Sequence, residues 1–164
     1  MPMTKWPLFI TVGQVIIFPY YLFWLKNSTL TFSLFALIFA LFSFGAALGY
    51  HLQQKWTMPI ALPIALLGMI YMLTLDVESL YIISVMQVIL GFLQGYFRAW
   101  HVGQETYKLQ VVWHYVIVGL AMVALSTVTI VVPQIFVAIY GFMLVICAVV
   151  MALKNVRKNK NKHI

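Results

Sequence analysis

Six apolar stretches dominate this chain of 164 residues: 6–25, 30–51, 58–75, 80–100, 111–132 and 135–153. Each is about as long as the roughly 20 residues that a helix needs to cross a bilayer's hydrocarbon, at about 1.5 Å per residue. Short breaks separate them: KNST, LQQKWT, DVES, the segment 101–110, and Pro133-Gln134. Composition says the same thing. The chain is 64% hydrophobic and 8% charged, against roughly 25% charged residues in globular proteins. Too little polar surface remains to face water, so lipid is the solvent. The expected fold is all-α: a polytopic membrane protein of six transmembrane helices.

The first stretch follows Lys5 and imitates a secretory leader, but Trp6 to Leu25 is too long for one and WLKNST offers no small-x-small cleavage site. It is read as a retained first span. Ser79 is placed to cap helix 4, and Pro59 to sit in the first turn of helix 3. Pro19 and Pro63 fall inside spans, as kinks or static bends. Residues 1–153 form one transmembrane domain, and 154–164 a basic, disordered-looking cytoplasmic tail. No short-period repeat is evident. Asn27-Ser28-Thr29 matches a glycosylation sequon but hugs the membrane.

With six spans, both termini share a side with the second and fourth loops. That side carries Lys5, Lys55, Arg98, Lys108, Lys154, Arg157, Lys158, Lys160 and Lys162; the other carries Lys26, with Asp76 and Glu78. The imbalance sets both termini in the cytoplasm. Most of the formal charge of +7 then lies in a tail suited to anionic lipid headgroups. The tail has no interleaved aromatics, so no nucleic acid partner is expected. The expected location is a multi-pass position in a bacterial cytoplasmic membrane.

Helix 4 is the most informative element. Ser84, Gln87, Gly91, Gln94 and Arg98 recur at spacings of three and four and share one face. His101, Glu105 and Lys108 continue that stripe if the helix runs on. Two readings of this polar end stand side by side: a basic loop that fixes topology, or an Arg98 that contacts an anion at the mouth of a cavity. The glutamines also allow two readings, cavity lining or interhelical hydrogen bonding. Gln14 in helix 1 resembles them, with Tyr21 one heptad further on. His114 near the start of helix 5 is read as interfacial packing. These residues give the candidate cavity lining: Gln14, Tyr21, Ser84, Gln87, Gln94 and Arg98.

Two glycine pairs, Gly45-x-x-x-Gly49 and Gly91-x-x-x-Gly95, mark candidate close helix crossings. Helix 2 carries a phenylalanine stripe (Phe32, Phe35, Phe39, Phe42). Beside it runs a stripe of small residues (Ser33, Ala36, Ala40, Ser43, Ala47), expected to invite packing. No aspartate or glutamate lies inside a span, so no carboxylate relay crosses the membrane. No metal-ligand spacing, paired-acid site or phosphate loop appears, and lone Cys147 is filler. No enzyme activity, cofactor or metal is expected.

The segment FALIFALFSFGAALGYHLQQKWTMPIALPIALLG resembles the second and third helices of the major facilitator superfamily with their cytoplasmic hinge. VMQVILGFLQGYFRAW is similar to that family's fourth helix. The resemblance covers 6–153 as one six-helix half of the twelve-helix fold. It departs from the family in a hinge whose only charge is Lys55, and in first and fourth helices without an acid. It implies two three-helix units of inverted topology, a cavity lined by helices 1 and 4, and a need for a second half. The expected function is a half-size transporter acting as a homodimer. The alternative is a non-transporting accessory or assembly subunit held by a heteromeric membrane partner.

Overall fold

A computed structural model describes residues 6–29, 31–56, 58–75, 77, 79–104, 107–126 and 132–160. Six helices follow in order: α1 (Trp6–Thr29), α2 (Phe32–Gln53), α3 (Ala61–Leu73), α4 (Leu80–Val102), α5 (Tyr107–Ser126) and α6 (Pro133–Lys160). No strand occurs among the described residues. Four stretches are long and apolar enough to cross a membrane: Trp6–Ser28, Phe32–Gln53, Leu80–Val102 and Pro133–Lys154. The chain is therefore a helical, membrane-embedded protein.

Several expected boundaries are corrected. Helix 3 does not fill 58–75. It has 13 residues, about 20 Å at 1.5 Å per residue, short of a ~30 Å hydrocarbon layer. Pro59 lies just before this helix instead of in its first turn. Pro63 sits in that first turn, where the missing N–H costs no helical bond, so it makes no mid-span kink. Helix α1 runs through Pro19 to Thr29. Helix α6 begins on Pro133 and continues past 153 to Lys160, so the basic segment up to that point is helical. Helix α4 ends at Val102, with Gly103 as its cap. The stripe therefore runs on from Arg98 only to His101: Glu105 lies outside the described residues, and Lys108 belongs to the next helix. Ser79 occupies the N-cap position without a side-chain hydrogen bond. The side-chain cap is instead at α2, where the Leu34 N–H donates to Thr31 Oγ1 at 3.3 Å.

Helices α2 and α4 pack along most of their length, and α3 packs on α6. Further contacts join α1 to α6, α3 to α4 and α1 to α5. The Lys154 ammonium lies 5.6 Å from the Trp6 ring centroid, which brings the start of α1 and the late part of α6 to one end of the bundle.

This contact pattern has a hidden symmetry. Exchanging α1 with α4, α2 with α5 and α3 with α6 turns α2–α4 into α5–α1, and α3–α4 into α6–α1. The α3–α6 pair maps onto itself. Its centre makes the relation visible in atoms. A Cβ on Gly68 would lie 2.5 Å from Gly141 O, and one on Gly141 would lie 2.5 Å from Gly68 O. The next neighbours also correspond: Leu144 and Val145 beside Gly68, Tyr71 and Met72 beside Gly141. All of these pairs are 73 positions apart.

The same offset exposes a repeat in the sequence. Residues 10–17 read ITVGQVII and residues 83–90 read ISVMQVIL. Five of the eight positions are identical, and Thr11/Ser84 and Ile17/Leu90 are conservative exchanges. Gln14 corresponds to Gln87, and Tyr21 to Gln94. The first three helices thus correspond in sequence and in part of their contacts to the last three, although the α1–α2 contact has no α4–α5 counterpart of similar extent among the described residues. Tyr21 late in α1 meets Gln87 early in α4, so these two helices run antiparallel.

Candidate functional site: a donor-lined cavity between α1, α2, α4 and α5

The α2–α4 crossing is built by the two glycine pairs. A Cβ on Gly91 would fall on the Phe42 carbonyl oxygen, on Gly95 on that of Ala46, on Gly45 on that of Val88, and on Gly49 on that of Phe92. The contacts advance in the same sense along both helices, so α2 and α4 run parallel with their backbones touching. Gly45, Gly49, Gly91 and Gly95 are all buried here. The small stripe of α2 does not take part: Ser33, Ala36, Ser43 and Ala47 are exposed and Ala40 is half-buried. Ile38, Gly45 and Gly49 form the buried face instead. The small stripe therefore points away from the bundle, and the expectation that it packs within the chain is corrected. Phe32, Phe35, Phe39 and Phe42 form a column with successive ring centroids 6.3, 6.4 and 5.7 Å apart.

Beside this crossing lies a cavity of about 280 Å³. Leu8, Thr11, Gln14 and Val15 of α1 form one wall, and Phe42 and Ala46 of α2 another. Gln94, Gly95, Phe97, Arg98 and His101 come from α4, and His114 and Tyr115 from α5. A smaller space of about 30 Å³ continues inward past Tyr21, Tyr71, Gln87 and Gln94.

At the inner end the polar side chains are tied together. The Gln87 amide donates to the Tyr21 hydroxyl, and the Gln94 amide to the Tyr71 hydroxyl at 2.6 Å. The Tyr140 hydroxyl donates to the Ile10 carbonyl at 2.9 Å. The Tyr21, Tyr71 and Tyr140 rings meet edge to face, at centroid distances of 5.8 and 5.6 Å. Burying these polar atoms unpaired would cost more than leaving them in water, so the matched donors and acceptors hold the centre in register. Gln14 is the exception. Its Nε2 is buried and has no hydrogen-bond partner among the described residues.

The sequence-derived residues thus fall into three groups. Gln14, Gln94 and Arg98 line the cavity. Tyr21 and Gln87 lie deeper, in the hydrogen-bonded centre and its small space. Ser84 lies outside both spaces, its hydroxyl turned back to the Leu80 carbonyl of its own helix at 2.9 Å. Thr11, Tyr71, Phe97 and Tyr115 were not singled out from the sequence. For Tyr71 a signal existed, since a tyrosine in an apolar span needs a partner for its hydroxyl. Tyr96 was missed as well. Its hydroxyl donates to Trp56 O at 2.8 Å and accepts from the Met58 N–H at 2.8 Å, tying the α2–α3 connection to α4.

No family model matches the chain, and neither a curated protein nor a solved structure matches it. The fold and cavity define its class: a helical, membrane-embedded protein with a cavity between α1, α2, α4 and α5.

Proposed function

We propose that the chain spans the membrane six times with both termini in the cytoplasm, and works as half of a major-facilitator-like transporter that is completed by a second copy. The observation that carries this reading is the cavity. It lies between α1, α2, α4 and α5, its wall mixes apolar side chains with Thr11, Gln14, Gln94, Arg98, His101 and His114, and the buried Gln14 amide has no hydrogen-bond partner among the described residues. Inverted units around a central site are the common ground plan of secondary transporters. The short α3 reaches across the layer with its apolar flanks, Met58–Ile60 and Thr74–Leu75. The cytoplasmic assignment of the termini follows from the positive charges on that side.

The test is the mass of the complex in mild detergent, by light scattering that subtracts the bound detergent. Twice the 18.8 kDa chain mass is expected; a clean monomer overturns the two-half reading. A second reading, an accessory subunit, is favoured by the outward small stripe of α2 and the exposed Trp113 and Tyr115 of α5. It expects co-extraction with a different, larger membrane protein.

A further inference from the structure

The inner end of the cavity holds hydrogen-bonding capacity that its own side chains do not use up. Four of them meet there: Tyr21 of α1, Tyr71 of α3, and Gln87 and Gln94 of α4. The Gln87 amide donates to the Tyr21 hydroxyl and the Gln94 amide to the Tyr71 hydroxyl. Each tyrosine oxygen thus accepts, while its own proton goes to no described residue. Each glutamine uses its N–H₂ and leaves its carbonyl oxygen without a donor among the described residues. Gln14 Nε2 is the one buried side-chain nitrogen or oxygen among the described residues that is both sealed from open space and unpaired. The carbonyl oxygens of Gln87 and Gln94 are unpaired but not sealed, so each keeps surface on the space it lines.

That space is small. Its volume of about 30 Å³ exceeds the roughly 10–15 Å³ that one water-sized group needs, and it has no room for a ring. Unused acceptors beside unused donors suit a group that does both, as a hydroxyl does. Turning either amide over exchanges a free carbonyl for a free N–H₂, and a hydroxyl still pairs with it. A carboxylate would set its charge against the two carbonyl oxygens, and an ammonium would leave both tyrosine protons unused. Burying either charge among these neutral groups costs more than burying a hydroxyl. Gln94 and Phe42 line both this space and the wider cavity. There Phe97 and Tyr115 present flat apolar faces, and Thr11 and Arg98 further donors. At about 280 Å³ the wider cavity is just below the usual ~300–1,000 Å³ of small-molecule sites.

We infer that the two spaces together bind a small, water-borne neutral polyol or sugar, with one hydroxyl among Tyr21, Tyr71, Gln87 and Gln94 and its C–H face against Phe42 and Phe97. Arg98, one helical turn beyond Gln94, serves hydroxyls at the outer end. The assignment rests on the cavity of the transporter reading and names its ligand class.

The experiment is saturation-transfer NMR on the full chain in phosphatidylcholine nanodiscs, which avoid sugar-headed detergents, with empty nanodiscs as the blank. The probes are glycerol, myo-inositol and glucose, with gluconate and glucosamine as charged counterparts. Saturable binding of at least one neutral probe is expected, with both charged sugars about tenfold weaker or silent. Q94L should weaken binding by about tenfold, and Y21F and Y71F, which keep the rings in place, by about two- to tenfold each. If Q94L does not fold, the two tyrosine variants decide. No saturable binding of any neutral probe, a charged sugar bound as well as the best neutral one, or undiminished binding to every folded variant each overturns the assignment. A dimer that binds none of the three neutral probes defeats the ligand class and leaves the transporter reading. A monomer that binds one does the reverse.

Discussion

Two helix crossings in this molecule occupy equivalent places in the repeat and differ in almost everything else. In α2–α4 the backbones touch through Gly45, Gly49, Gly91 and Gly95. In α1–α5, at the same offset of 73, Phe18 stands where Gly91 does and Leu22 where Gly95 does. A side chain added at Gly119 would meet nothing within 4 Å among the described residues, and α5 exposes Val112, Trp113, Tyr115, Leu120 and Val123. The lesson is that one architecture can carry a rigid and a loose copy of the same contact. Association of membrane helices draws on close packing more than on apolar burial, since lipid tails are apolar too. The small residues therefore decide which copy is tight. The cavity lies between the two crossings, bounded by residues of both.

The largest expected effect comes from filling the tight crossing. G91L combined with G95L drives side chains into the α2 backbone, and the cost should exceed about 3 kcal/mol. It would be read as a large shift of the unfolding midpoint in SDS-containing mixed micelles, or as loss of monodisperse protein. A midpoint near the wild type would mean that α2 does not lie against α4.

A sharper test uses the two glutamines that the repeat makes equivalent. Q87L removes the donor to Tyr21 and should cost about 0.6–1.7 kcal/mol. Q14L removes a donor that has no partner among the described residues, so its stability should be unchanged or slightly higher. Equal losses in the same unfolding titration would show that Gln14 is satisfied after all.

The smallest effect is expected in the loose copy. G119L enters open space and should stay within about 0.5 kcal/mol of the wild type. A loss comparable to that of a leucine at Gly45 would mean that α5 packs as closely as α2.

Much of the coarse fold was legible from the sequence. Apolar runs located six helices, since length and hydropathy report directly on where polar groups can be tolerated. Helix ends were less legible: α3 shrank to 13 residues because a stretch as apolar as 58–75 reads alike whether it is helix or extended flank. The face of α2 was also misjudged, because small residues on adjacent stripes look equally fit for packing. Only the partner decides, and Gly91 and Gly95 chose Gly45 and Gly49 over Ser33 and Ala47. The 73-residue repeat was present all along in ITVGQVII and ISVMQVIL. It stayed hidden because a spacing of three helices is far longer than any short-period pattern. The hydrogen bonds of Gln87 and Gln94 to tyrosines could not be read, since an apolar sequence says nothing of which span a glutamine faces.

The contact between Gly68 and Gly141 has a mechanical consequence. Each glycine meets its own counterpart at the 73-residue offset, backbone on backbone. The side chains of Leu144, Val145 and Tyr71 close in around the pair. A methyl group added to either glycine would fall on the other's carbonyl oxygen, so the close approach of α3 and α6 depends on both positions staying bare.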